Sequence, residues 1–211
     1  MTNLESLYDA ILKGKHKDAV TFTNLALEEN VSPKEIIDRY MIKAMEEIGQ
    51  RFERQEAFVP ELLMAGRAMK MSLNILQPLL KNSDSSSAFA GKIVIGTVKG
   101  DLHDIGKNLV ASMFEGCGFE VIDLGIDVDS DKFIQAIKEH NANMLGMSAL
   151  LTTTMPYMKT VIEALSEAGL RETVKVMIGG APVSAKFAAE IGADSYSDNA
   201  NSAVTNAKQW I

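Results

Sequence analysis

Apolar side chains in the first 80 residues recur every three or four positions, and no segment alternates as a half-buried strand would. Ser32, followed by Pro33 and Glu35, is typical of a helix start, because serine caps the first turn and proline fits its first position. Pro60 starts a later helical stretch. The apolar faces contain Leu4, Leu7, Tyr8, Ile11 and Leu12, then Ala19, Phe22 and Ala26, then Ile36, Ile37, Met41, Met45 and Ile48, and finally Leu62, Leu63, Met69, Leu73 and Leu76. Such segments, joined by short connections, predict an antiparallel four-helix bundle.

Beyond residue 90 the pattern changes, and short apolar runs alternate with helical stretches. The runs cover 93–98, 120–122, 144–147, 174–178 and 194–196, and the helical stretches cover 105–116, 131–140, 154–168, 184–191 and 200–210. This alternation predicts an α/β fold with a doubly wound, five-stranded parallel sheet in the flavodoxin-like order 2-1-3-4-5. In that order the loops after Val98 and Met147 are neighbours.

Small polar residues without periodicity separate the two halves. Their composition is typical of a linker. We therefore predict a helical cap domain at 1–81, a linker and hinge at 82–90, and a Rossmann-like domain at 91–211.

Composition narrows the classes of partner. The 211-residue chain has a formal net charge of −7, which argues against a nucleic-acid partner. Cys117 is its single cysteine, so no disulfide can form within the chain and a reducing cytoplasm is the expected location. The N-terminus lacks the basic and apolar regions of a signal peptide, and no apolar run is long enough to span a bilayer. We expect a cytoplasmic protein without a membrane partner.

The segment from Gly100 to Asn108 carries the candidate chemistry. It joins the first predicted strand to the helix that follows, and in open α/β sheets ligands bind at that end of the strands. His103 is available there as a metal ligand, and Asp101 is close enough in sequence to hold the proton of its other ring nitrogen. Gly106 lets a ligand approach the backbone.

Three motifs in this order, Asp101-x-His103-x-x-Gly106, Ser148-x-Leu150-x-Thr152 and Gly179-Gly180, resemble the cobalamin-binding signature of corrinoid proteins and of the cobalamin module of methionine synthase. The whole chain resembles the small methyl-carrier subunits that serve methanol, methylamine, glycine betaine or aromatic methyl ether methyltransferases. The resemblance implies a cobalamin cofactor that cycles between methylcobalamin and a Co(I) corrinoid.

The resemblance also implies roles for individual residues. His103 would replace the cofactor's own nucleotide base as the lower axial ligand of cobalt, which makes it the metal ligand, and Asp101 would hold its second nitrogen. Thr154 matches the position at which a hydroxyl continues this relay. The displaced nucleotide tail would lie in a slot, and Phe52 and Val59 would cover the upper face of the corrin. The other cofactor-binding residues implied are Asp104, Ile105, Gly106, Ser148, Leu150, Thr152, Gly179 and Gly180.

The function implied is that of a carrier without catalytic residues of its own. It would accept a methyl group from a substrate-specific methyltransferase and pass it to a second methyltransferase that acts on a thiol or on tetrahydrofolate. A reductive activase would be a third partner. The alternative is a cobalamin-dependent sensor, although such regulators usually carry a DNA-binding part, and none is visible in this acidic chain.

Other protein classes agree less well with these residues. A receiver domain needs an aspartate after the third strand, where Ser148 stands, and a dinucleotide-binding domain needs a glycine fingerprint after the first. The helical cap argues against a small subunit of a carbon-skeleton mutase. His16 is expected at the surface, at the start of a helix, and His140 at the end of a helix, where its partial charge suits the dipole. Phe58 is expected in the bundle core, and Gly179-Gly180 is also compatible with a simple turn. A cluster of Asp123, Asp127, Asp129 and Asp131 is expected to be a solvated edge and helix cap.

Overall fold

A computed structural model of the protein describes residues 4–80 and 91–211, which form two compact units. The helical unit contains the helices before residue 80 together with residues 112–118, and the α/β unit contains residues 91–111 and 119–211. The predicted linker at 82–90 lies outside the described residues. None of the helices in the described ranges is both long enough and apolar enough to cross a membrane.

The helical unit follows the predicted pattern. Ser32 accepts a hydrogen bond from the backbone N–H of Glu35 at 3.2 Å, and Pro33 occupies the first helical position, as expected. The helix that starts there continues without a break through a π-helical segment into α4. The elements are α1 (Leu4–Leu12), α2 (His16–Glu28), α3 (Pro33–Ile36), the π-helical segment (Ile37–Met41), α4 (Ile42–Glu53) and α5 (Val59–Leu80).

The apolar stripes of these helices form one core. Its fully buried members include Leu7, Ile11, Ile36, Met41, Met45, Leu62, Met69 and Leu76. Gly14 makes the turn between α1 and α2 at φ +65°, and a side chain there would collide with Met64 of α5. The predicted helical bundle is therefore confirmed.

Phe58 does not belong to this core, so that prediction was wrong. Its side chain is 66% exposed. The residue lies just before α5, where its backbone N–H donates to the carboxylate of Glu61 at 2.7 Å and its carbonyl accepts from the first turn. A residue in this capping position lies outside the apolar stripe of the helix.

The α/β unit contains a parallel sheet in the order β2-β1-β3-β4-β5, which confirms the predicted topology. Its strands are β1 (Lys92–Thr97), β2 (Glu120–Asp123), β3 (Met144–Ser148), β4 (Lys175–Gly179) and β5 (Ser195–Ser197), and its helices are α6 (Ile105–Gly116), α7 (Ser130–His140), α8 (Tyr157–Glu167), α9 (Ala185–Ile191) and α10 (Ala200–Lys208). Asp129, Ser184 and Asn199 cap the starts of α7, α9 and α10.

The sheet supports the main core of this unit and brings two loops together at its carboxyl edge. One face carries large apolar side chains such as Val94, Leu145 and Ile178, which pack with Phe133 and Met158 of α7 and α8 into the main core. At the carboxyl edge, the backbone N–H of Val98 donates to the carbonyl of Ser148 at 3.0 Å. The loops that follow β1 and β3 are therefore neighbours, as predicted.

Candidate functional site

The loop between β1 and α6 holds His103 in a fixed backbone position. The buried hydroxyl of Thr97, the last residue of β1, donates to the carbonyl of His103 at 2.9 Å. Gly100 turns the chain at φ +83°, and the N–H of Asp101 returns to the carbonyl of Val98 at 3.1 Å. The loop is therefore tied at both ends to the strand it leaves.

His103, Asp101 and Thr154 form a hydrogen-bonded relay. The Nδ1 atom of His103 lies 2.7 Å from Oδ1 of Asp101, and the hydroxyl of Thr154 donates to Oδ2 of the same carboxylate at 2.6 Å. Asp101 is completely buried, whereas the imidazole is 49% exposed. Because Nδ1 is engaged by the carboxylate, Nε2 is the nitrogen left to bind a metal.

The buried carboxylate of Asp101 is kept ionised by its donors. Burial is the largest single influence and would raise the pKa, but the hydrogen bonds from Thr154, from His103 and from the backbone N–H of Leu150 together outweigh it. They hold the pKa of the Asp101 carboxyl well below its usual range. The Leu150 bond measures 2.8 Å and a second one, from the N–H of Leu151, measures 3.2 Å. The loop after β3 thus completes the site that β1 begins.

Apolar side chains are exposed around the histidine. Leu102 is 66% exposed and Ile105 84% exposed, on either side of His103, and Leu150 and Leu151 of the neighbouring loop are 43% and 41% exposed. A concentration of exposed apolar residues beside a polar group is typical of a surface that a ligand covers. The neighbouring Asp104 is exposed and accepts a hydrogen bond from Asn108 at 3.0 Å.

A row of short residues crosses the carboxyl edge of the sheet. Thr97, Ser148, Gly179 and Ser197 are paired in register on four strands, so their side-chain positions share one face. Asn206 of α10 contacts the end of this row on β5, where it donates to the hydroxyl of Ser197 at 3.2 Å. No member of the row is larger than threonine, which suits the close approach of a flat ligand.

The glycines of the motifs have different reasons to be glycine. A Cβ on Gly180 would lie 1.9 Å from the carbonyl oxygen of Ala149, and its φ of +124° disfavours any side chain, so the fold itself requires glycine there. A Cβ on Gly179 would lie 3.0 Å from the backbone oxygen of Ser197. A Cβ on Gly106 would meet nothing within 4 Å, so the packing of the chain does not explain that glycine.

The remaining predicted residues lie elsewhere. Thr152 is exposed in the turn that follows Leu150. Phe52 and Val59 belong to the helical unit, where Phe52 is half-buried at the end of α4 and Val59 is 38% exposed at the start of α5.

Sequence reasoning missed several polar contacts near the site. Lys107 is 3% exposed, and its ammonium group bonds both carboxylate oxygens of Asp123, at 2.7 and 2.6 Å. Asp129 caps α7, as expected, but Asp123 and Asp127 also fix loops, which the interpretation as a solvated edge did not include. The sequence did contain a signal for the Lys107–Asp123 pair, because Lys107 stands at an inward-facing position of α6.

Comparison with known proteins relates both units to cobalamin. A family model described as "B12 binding domain" matches residues 91–205, and a second model with the same description matches residues 4–77. The chain is 46% identical over 208 residues to a dimethylamine corrinoid protein of Methanosarcina acetivorans, which covers 99% of this chain and 97% of that protein.

Two solved structures are similar over nearly the whole chain. One is a cobalamin-binding protein from Desulfitobacterium hafniense, with a TM-score of 0.83, 33% identity and complete coverage of both chains. The other is the methanol:cobalamin methyltransferase complex of Methanosarcina barkeri, with a TM-score of 0.83, 28% identity, and coverage of 96% of this chain and 77% of that one.

The different structural roles of Gly180 and Gly106 can be measured as differences in the free energy of unfolding. Gly180→Ala should lower the free energy of unfolding by at least about 2 kcal/mol, because the added methyl group meets backbone atoms and the φ angle is unfavourable. Gly106→Ala is the matched control and should leave stability unchanged or raise it by up to about 1 kcal/mol. Urea unfolding of both variants measures the difference, and equal losses would contradict this interpretation.

The hydroxyl of Thr154 should contribute to stability in a pH-dependent way. Thr154→Val leaves the buried carboxylate without one donor, which should cost about 1 to 3 kcal/mol at pH 7. Since folding lowers the pKa of Asp101, the loss should be full above pH ~4, the ordinary value for aspartate, and should shrink as the pH falls below it. Thr154→Ser keeps the hydroxyl and should retain most of the stability. A cost that does not change with pH would count against a role through Asp101.

Proposed function

Because the chain belongs to the corrinoid proteins with B12-binding domains, and cobalamin is therefore its cofactor, we propose that it is the methyl carrier of a methyltransferase system. It accepts a methyl group from a substrate-specific methyltransferase and delivers it to a second methyltransferase, whose acceptor is a thiol or tetrahydrofolate. The names of its relatives, which include dimethylamine corrinoid proteins and a methanol:cobalamin methyltransferase complex, favour a carrier over a sensor.

The single observation that carries this proposal is the pairing of a half-exposed imidazole with a buried carboxylate. A corrin ring supplies four nitrogen ligands to cobalt, so the protein needs to add only one from below. His103 offers its Nε2 atom for this purpose, since Asp101 occupies Nδ1. We therefore propose that His103 takes the place of the cofactor's own nucleotide base, in the base-off, His-on arrangement.

The relay behind His103 would control how strongly the imidazole binds. An ionised Asp101 that holds the Nδ1 proton makes the ring more basic at Nε2 and fixes its orientation. Thr154 and the N–H groups of Leu150 and Leu151 keep that carboxylate charged and in place. Cobalamin supplies the methyl-transfer chemistry, and the task of these residues is to set the position and the donor strength of one nitrogen.

The rest of the α/β unit suits the other parts of the cofactor. The exposed side chains of Leu102, Ile105 and Leu150 would lie against the apolar parts of the corrin ring. Gly106 leaves its backbone open to a ligand although nothing in the fold demands it. The row that contains Ser148 and Gly179 would accept the displaced nucleotide tail, with Ser148 as its hydroxyl partner.

We propose that residues of the helical unit cover the upper face of the corrin. Just before α5 and in its first turns this unit exposes Phe58, Val59, Leu63 and Met64, the kind of apolar surface that a ligand or a partner protein covers. The roles of Phe52 and Val59 over the corrin stay predictions. Because the cofactor must be reduced again after accidental oxidation, we also propose a reductive activase as a third partner.

The ligand assignment has a direct spectroscopic test. The 211-residue chain reconstituted with hydroxocobalamin should show the absorption spectrum of a histidine-ligated corrinoid whose own base is displaced. His103→Ala should abolish that spectrum, because neither of the other two histidines, His16 of α2 and His140 of α7, lies in the loops that follow β1 and β3. His140→Ala, at the end of α7, is the control and should behave as wild type. An unchanged spectrum in His103→Ala would refute the assignment.

The cap has a separate test. Phe52→Ala should raise the rate at which light destroys the methyl-loaded cofactor, because a smaller side chain gives the methyl group more access to solvent and oxygen. The rate is measured by absorbance during illumination. Phe22→Ala removes a phenylalanine of the same burial class from α2 and should leave the rate nearer to that of wild type. Equal rates for Phe52→Ala and wild type would argue against the cap.

A further inference from the structure

The loop between β2 and α7 holds the histidine loop from the side opposite to Thr154. The carboxylate of Asp127 accepts a hydrogen bond from the backbone N–H of Gly100 at 2.7 Å. In return, the backbone N–H of Asp127 donates to the carbonyl of Asp101 at 3.1 Å. Asp127 therefore holds both Gly100 and Asp101, which lie three and two positions before His103.

Asp127 and Gly100, the partners of the 2.7 Å hydrogen bond, both have unusual backbone conformations. Asp127 has a φ of +53° and Gly100 a φ of +83°. The left-handed region is costly for a residue other than glycine, and aspartate tolerates it when its short side chain forms a local hydrogen bond. The side chain of Asp127 is exposed and is absent from the hydrophobic core, so its contribution here is this contact with Gly100.

The loop that carries Asp127 is itself anchored. Asp123, at the end of β2, accepts from the buried ammonium group of Lys107 and from the backbone N–H of Gly125 at 2.9 Å. Further along, the backbone N–H of Val128 donates to the carbonyl of Thr97 at 3.0 Å. Because both sides of Asp127 are fixed, its carboxylate can determine where Gly100 lies.

We infer that Asp127 is a positioning residue for the cobalt ligand. It does not touch His103. By holding Gly100 and the carbonyl of Asp101, it places the Asp101 carboxylate where it captures Nδ1 of the imidazole, so that the ring has one tautomer and one orientation before any cofactor binds. This inference rests on the proposed role of His103 and extends it to a residue that no motif includes.

Three substitutions separate the hydrogen bond from backbone strain. Asp127→Ala removes the acceptor and keeps the strain of a positive φ, whereas Asp127→Gly removes both. Asp127→Asn retains a side-chain oxygen that accepts from Gly100 and should rescue the wild-type behaviour. Asp131→Ala is the matched control, because it removes an exposed aspartate from the first turn of α7.

The first measurement uses the apoprotein labelled with 15N-histidine. The nitrogen chemical shifts of His103 should report one tautomer, protonated at Nδ1, in wild type, Asp127→Asn and Asp131→Ala. Asp127→Ala and Asp127→Gly should show a mixture of tautomers. The second measurement is a titration with hydroxocobalamin, in which these two variants should bind about tenfold more weakly, the size of effect typical of a residue that orients a metal ligand.

The outcomes distinguish this inference from the proposed function. Wild-type tautomer and affinity in both Asp127→Ala and Asp127→Gly would overturn the inference, as would a defect in Asp127→Ala that Asp127→Gly repairs, since strain would then be the cause. If wild-type protein binds hydroxocobalamin without a histidine-ligated spectrum, the proposed function fails, and the tautomer measurement on apoprotein still decides the role of Asp127.

Discussion

The hydrogen bond between the buried carboxylate of Asp101 and the half-exposed imidazole of His103 is the interaction on which the site depends. A charged group at zero exposure is stable only when its oxygens are satisfied, and here Thr154 together with two backbone N–H groups satisfies them. The donors come from the loop after β3, whereas Asp101 itself follows β1. The strand order that makes these two loops neighbours is thus a requirement of the chemistry, and not only of the fold.

The same carboxylate connects folding with ligand strength. Because the Asp101 carboxylate is ionised, the proton in its 2.7 Å contact with Nδ1 belongs to the imidazole, and in a neutral ring the opposite nitrogen then has the lone pair that a metal needs. A site of this kind adds a single strong ligand to an ion that already has four, which suits a corrinoid. The apolar residues around the histidine are exposed in the chain by itself, and a large ring that covers them would explain this exposure.

Much of this arrangement could be predicted from the sequence, because it is encoded locally. The alternation of apolar runs and helices gave the strand order, and motif spacing together with the family resemblance led to Asp101, His103 and Thr154. What could not be predicted depends on contacts between distant segments. Gly100 and Asp127 are separated by 27 positions, and Gly180 is required by the carbonyl of Ala149, in the loop after β3. Phe58 was misassigned because apolar spacing does not show which residue caps a helix.

The central claim is that nitrogen from His103, and not from the cofactor's own base, binds cobalt from below. Electron paramagnetic resonance of the Co(II) form tests this most directly, because a single axial nitrogen splits the signal according to its nuclear spin. In protein labelled with 15N-histidine and loaded with unlabelled cobalamin, the account predicts doublet splitting. Triplet splitting from 14N would show that the nucleotide base is still bound and would contradict the account.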